Sequence, residues 1–333
     1  MSVSLPLGLK LIRLFKFYDK YKDHGTLVLA IPAVSFMVLI NATGVLANTL
    51  LVVVTVSSKN LRSTTNYLLA MQCFFDSLHA LAHFYLAYVL YSGKNFDTLS
   101  DCLHIVTVPL IGATSGMALV FFTAFDRLFA AFFPVKHQLM NKLLYLGSIM
   151  AMCVGYSIYI LYLGYLNAEK YKNTMVVCLI TEGIHRSPRT MLSYVNMGLV
   201  SGSTSIYIAI GFTIYCKSNF NTTTRKLFKS LIILCVLMVC SWAFTSVSAI
   251  LCFNLGLSDE LCFFILLYTG ITIHIACASN FFVLTRYSNE YRSATRRFFK
   301  KLGFTIFKPI SGNSKISNKL SVHRPNISIF PKR

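Results

Sequence analysis

Few side chains in this 333-residue sequence have chemistry beyond packing. Asp126 and Arg127 stand side by side in "FTAFDRLFAAFFPVKH", after a long run without a charge. An acid and a base so placed can pair with each other or exchange that pair for other partners, which is the chemistry of a releasable restraint. Asp76 lies alone in "LLAMQCFFDSLHALAHF", where a carboxylate needs a polar partner, water, a small cation or its own proton. Asn48 in "GVLAN" and Asn280 in "CASNFFVLTRY" are of the type to supply such a partner. His79 and His83 are four apart and share a face of any helix. His104, Thr107, Asn196 and His274 add further polar groups to apolar surroundings. Nothing fixes a third ligand beside the two histidines, so no metal site is expected. There is no P-loop, no GxSxG and no CxxC, and an intramembrane enzyme needs paired acids or a Ser/His pair where only Asp76 offers itself. The expectation is a protein that is not an enzyme and needs no cofactor.

What positions these residues follows from composition. The chain is 55% hydrophobic and only 13% charged, with a mean hydropathy of +0.62. Soluble domains carry about a quarter charged residues, so most of this chain belongs in lipid. A hydrocarbon core of ~30 Å takes ~20 helical residues, and seven apolar runs meet that length: 27–56, 64–92, 102–133, 143–166, 190–216, 227–253 and 260–286. Each is expected to be helical, because lipid leaves no partner for an unpaired backbone. The fold class is therefore an all-α membrane protein, a bundle of seven transmembrane helices. No connection exceeds 23 residues, too little for a folded enzyme domain.

The net charge of +20 does not point to nucleic acid, because 12 of the 31 Lys and Arg lie from Arg286 onward, beside the last span. Basic residues flanking spans signal topology and contact anionic lipid. One set of connections, with the tail, holds 21 of them and the other 10, which places the N-terminus outside and the tail in the cytosol. The first span alone, with five basic residues before it and two after, points the other way. Part of that conflict lies in "LGLKLIRLFKFYDKYK", where Lys10, Arg13, Lys16, Phe17 and Lys20 recur at helical spacing and imply an amphipathic helix in the membrane interface. The division expected is an extracellular segment 1–26, a seven-span bundle 27–286, an amphipathic helix 287–302 and a disordered basic tail 303–333. Of the ten cysteines, Cys102, Cys178, Cys252 and Cys262 fall near span ends on the outer side, where oxidation is possible. Gly155, Gly164 and the "SGS" at 201–203 suit close helix packing.

The spacings form a pattern: 25 residues from Cys102 to Arg127, eight from Asp126 to Pro134, ten from Asn66 to Asp76 and seven from Leu284 to Tyr291. On seven spans they resemble rhodopsin-like G-protein-coupled receptors. "NLRSTTNYLLAMQCFFD", "FDRLFAAFFPVKHQ" and "ASNFFVLTRYSNEYRSA" are similar, more narrowly, to nematode serpentine chemoreceptors, most of all the Srsx class. The resemblance covers 27 to about 302. It implies a Cys102–Cys178 disulfide, a short cytoplasmic amphipathic helix after the seventh span, and a plasma-membrane location such as a sensory-neuron cilium. Its partners are a heterotrimeric G-protein and an external small-molecule ligand. Asp126, Arg127, Pro134 and Lys136, with Lys226 and Lys229 at the inner end of the sixth span, take the coupling role. Asn48, Asp76 and Asn280 form a polar cluster inside the membrane, and His79, His83, Thr107, Asn196, Trp242 and His274 are candidates for a ligand pocket. An aminergic ligand is disfavoured, because Pro109 stands where amine receptors carry an aspartate. Other departures are Leu128 for the tyrosine after Asp-Arg, Asn280-Phe281-Phe282 without the seventh-span proline, and Ser241-Trp242-Ala243-Phe244 without the sixth-span one. Of other classes, a seven-span ligand-gated cation channel or a transporter comes next, but internal repeats and facing ionisable groups are absent from the sequence.

Overall fold

The computed structural model describes residues 17–184, 187–216 and 222–303, with the side chains at 213–216, 222–231, 249–250, 253 and 259 excepted. The side chains of Arg225, Lys226 and Lys229 are therefore not described, and most of the basic N-terminal stretch and the tail from 304 lie outside the described residues. The helices are α1 (Ile31–Ser57), α2 (Thr64–Tyr91), α3 (Leu99–Phe132), α4 (Lys142–Lys170), α5 (Ser187–Cys216), α6 (Thr222–Asn254), α7 (Asp259–Ala278), α8 (Asn280–Tyr287) and α9 (Asn289–Lys301). Among the described residues six helices are long and apolar enough to cross a membrane, and α6 carries a shorter apolar stretch, Ile232–Ser248. Together they form a seven-helix bundle, with α8 continuing the seventh span.

Polar residues at the ends set where the helices begin. Ser63, Thr98, Asn141, Ser258 and Ser288 each accept a hydrogen bond from a backbone N–H of the first turn, replacing partners that the helix cannot supply there. Thr98 thus starts the third span at Leu99, three residues before its apolar run. The seventh span differs more from expectation. It breaks at Ser279, whose hydroxyl donates to the Ala276 carbonyl at 2.7 Å and whose N–H does so at 3.1 Å.

The longest helix, α3, lies against α2, α4 and α5, and carries Pro109 in its interior. Its contact with α2 is closest at Gly112, where a Cβ would stand 2.5 Å from the His79 nitrogen and 2.6 Å from the Phe75 oxygen. Gly164 and Gly202 also face neighbours, with Ile184 and Phe121 as the nearest side chains. Gly155 does not: no atom lies within 4 Å of a Cβ there, so the expectation of close packing at Gly155 is not met. At one end of the bundle β1 (Asp97–Thr98) pairs antiparallel with β2 (Met175–Val176), and the loop after β2 is bonded to α3 through Cys102–Cys178, with Cα atoms 5.4 Å apart. At the other end α9 buries Tyr291, Ala294 and Thr295 against the bundle and exposes Arg296 and Arg297.

Candidate functional site

Three polar groupings follow one another between the two ends. The first is at the end opposite the disulfide. Asp126 is fully buried in the last turns of α3 and its carboxylate is held from three elements. Arg127 donates to Oδ2 through Nη2 at 2.7 Å and Nε at 3.2 Å. Thr65, placed in the first turn of α2 by the Ser63 cap, donates to the same oxygen at 2.5 Å. His137 donates from Nε2 to Oδ1 at 2.8 Å and lies 3.3 Å from the Thr64 hydroxyl. Charge-assisted contacts of this kind are about twice as strong as neutral ones. Pro134 begins the short helix Pro134–Leu139, where its fixed φ and missing N–H fit, and that helix turns His137 back onto Asp126. Pro134 and Lys136 are exposed, with the Lys136 ammonium 5.6 Å from the Phe133 ring centre. Leu128 packs on an apolar cluster with Tyr207, Leu284 and Tyr291.

The second grouping lies deeper. Asn280, at the start of α8 just past the Ser279 break, donates to Asp76 Oδ2 at 2.9 Å and lies 3.1 Å from the Cys277 carbonyl. Asn48 donates to that same carbonyl at 3.3 Å, so it joins the cluster through the α7 backbone and not through Asp76. All three residues are at least 95% buried. Gly116 of α3 leaves the room, since a Cβ there would stand 3.0 Å from Asp76 Oδ1.

The third grouping stands one and two turns nearer the disulfide end. His79 and His83 of α2 meet His274 of α7, with ring centres 5.5 and 3.9 Å from His274 and 5.6 Å from each other. The His83 Nδ1 is buried without a hydrogen-bond partner, as are Asn196 Oδ1 on α5 and Trp242 Nε1 on α6. Unpartnered buried polar atoms call for a partner such as water, an ion or a ligand, and eight others, Asn48 Oδ1 and the Tyr156 hydroxyl among them, stand among the described residues. Thr107 is turned elsewhere: its hydroxyl lies 2.8 Å from that of Tyr165, which in turn is 3.2 Å from His104 Nδ1. Among the described residues no three His, Cys, Asp or Glu side chains stand so as to hold a metal. Near the disulfide end, Cys252 is a buried thiol and the Cys262 sulfur lies 3.8 Å from the Leu257 carbonyl.

The structure thus joins His79 with His83 and His274, and Asp76 with Asn280, while Thr107 belongs to a separate network. His137 and Thr65 were not legible as site residues. His137 stands eleven residues after Asp126 in a connection, and only the turn at Pro134 brings it back.

The family model described as serpentine type 7TM GPCR chemoreceptor Srsx matches residues 41–299. No curated protein matches.

Proposed function

The chain belongs to the serpentine type 7TM GPCR chemoreceptor Srsx family, and on that premise we propose that it binds an external small molecule and activates the Gα subunit of a heterotrimeric G-protein. In this reading the disulfide end faces outside and the Arg127 end faces the cytosol. The ligand binds among His79, His83, Asn196, Trp242 and His274, where three buried polar atoms lack partners. No acid accompanies them, which favours a non-aminergic ligand.

The observation that carries the reading is the grip on Arg127. The arginine is held by one carboxylate, and that carboxylate is itself held by α2 through Thr65 and by the Pro134 helix through His137. A displacement of α3 against α2 breaks the Thr65 contact and parts His137 from Thr64, which loosens the carboxylate that holds the guanidinium at the face where Lys136 is exposed. A ligand with different affinity for the two packings shifts the balance between them.

The test is nucleotide exchange. A panel of odorants and small metabolites, read by cytosolic cAMP, cGMP or calcium, supplies an agonist. Agonist-dependent exchange on Gα is then expected to vanish in Arg127→Ala at unchanged surface expression. Exchange that persists in that variant overturns the assigned role.

A further inference from the structure

The hairpin is not all that covers the disulfide end. Residues 17–21 are helical and lie across it. The Phe17 ring is centred 5.6 Å from Phe96, in the connection between α2 and α3, and 5.4 Å from Phe263 of α7. Tyr21 is only 7% exposed, and its hydroxyl donates to the carboxylate of Glu260 at the start of α7. Lys20 forms an ion pair with the other oxygen of that carboxylate. Asn95, fully buried and at a positive φ of 56°, donates to the Gly25 carbonyl at 2.6 Å and lies 3.4 Å from that of Tyr21. Beneath them Leu27, Leu86, Leu90, Val177 and Leu267 fill one apolar cluster with Tyr21. On α2 this cluster begins one turn above His83, and on α7 it ends, with Ile271, one turn above His274.

We propose that residues 17–26 form a lid over the histidine grouping, latched to α7 by Glu260, and that opening of this lid admits water-borne solutes from the disulfide end. Two kinds of contact hold it. The apolar rings give most of the adhesion. The Lys20–Glu260 pair is half exposed, and pairs of that kind add little by themselves, so the lid can lift without unfolding the bundle. The bond to Glu260 raises the Lys20 ammonium above its ordinary range, and burial raises the Tyr21 phenol. Both groups therefore keep their protons, and the latch its donors, throughout the neutral range. Because Glu260 and His274 lie on the same helix, the latch and His274 move together.

The lid can be tested without ligand or G-protein. In the full chain, purified in detergent, His83→Cys introduces a reporter thiol beneath the cluster. Its reaction with a charged, water-soluble methanethiosulfonate is followed by mass spectrometry of the peptide, and natural Cys153, buried in a different cluster, serves as an internal reference. Phe17→Ala, which removes the ring contacts, is expected to speed reaction at position 83 by about tenfold or more, and Glu260→Gln, which weakens the hydrogen bond from Tyr21, by a smaller factor of a few. Reaction at Cys153 is expected to stay unchanged. No increase at 83 in either variant, or a parallel increase at Cys153, overturns the proposal.

Discussion

At the scale of single residues, the arrangement around Asp126 orders the effects of its neighbours. Asp126→Asn leaves a neutral acceptor in place of the carboxylate and weakens all four contacts at once, so basal nucleotide exchange is expected to rise. His137→Phe removes one contact and leaves those of Thr65 and Arg127, so the rise is expected to be smaller. Hydrogen bonds to charged groups are worth about 1.5–3 kcal/mol, which makes an increase of about tenfold the expected scale for Asp126→Asn. Basal GTPγS binding at matched surface expression measures it, and equal baselines in all three proteins would contradict the ordering. Asp126 and Arg127 were legible because charge is rare in an apolar run and the distance from Cys102 is characteristic. His137 was not, since nothing in "PVKHQ" tells a residue that returns to its own helix from one that faces water. For the same reason His79 and His83 could be placed on one face, while their meeting with His274 depends on which spans are neighbours.

At the scale of elements, the approach of α2 and α3 rests on Gly112. A methyl group there meets backbone atoms of α2 at 2.5 and 2.6 Å, and backbone cannot rotate aside as a side chain can. Gly112→Ala is therefore expected to cost about 1–3 kcal/mol, the usual range for overpacking, and to lower both the melting temperature in detergent and the surface expression. Gly155→Ala is the matched comparison and is expected to change neither, because its Cβ points into open space. The two glycines look alike in sequence, and what separates them is the distance to another helix. The spans themselves were readable, since lipid forces any sufficiently long apolar run to satisfy its own backbone. The break at Ser279 was not, because no proline or glycine marks it. The N-terminal stretch illustrates a third case. A face of Leu, Ile and Phe has the same periodicity whether it covers lipid or protein, and Phe17 and Tyr21 rest on the bundle.

For the molecule as a whole, the cross-link and the restraint stand at opposite ends. Cys102–Cys178 ties α3 to the loop after β2 across a sequence separation of 76 residues. Cys178→Ser is expected to cost about 2–5 kcal/mol, the usual effect of removing a native disulfide. It would show as a lower melting temperature, and an unchanged melt would mean that the hairpin and apolar contacts hold the loop unaided. The seven-helix architecture was legible from hydropathy, whereas the close fit between helices required the coordinates. One helix joins the two ends. At ~1.5 Å per residue the 34 residues of α3 make a shaft of roughly 50 Å, with the disulfide in its first turn and Asp126 in its last turns. Pro109 has no N–H to give the Ile105 carbonyl, so the shaft is softest in torsion close to the disulfide. From Leu110 to Arg127 it has no such joint. Torque applied below Pro109, at the depth of the histidines, is thus delivered to the arginine, while torque applied at the cover is partly absorbed before it arrives.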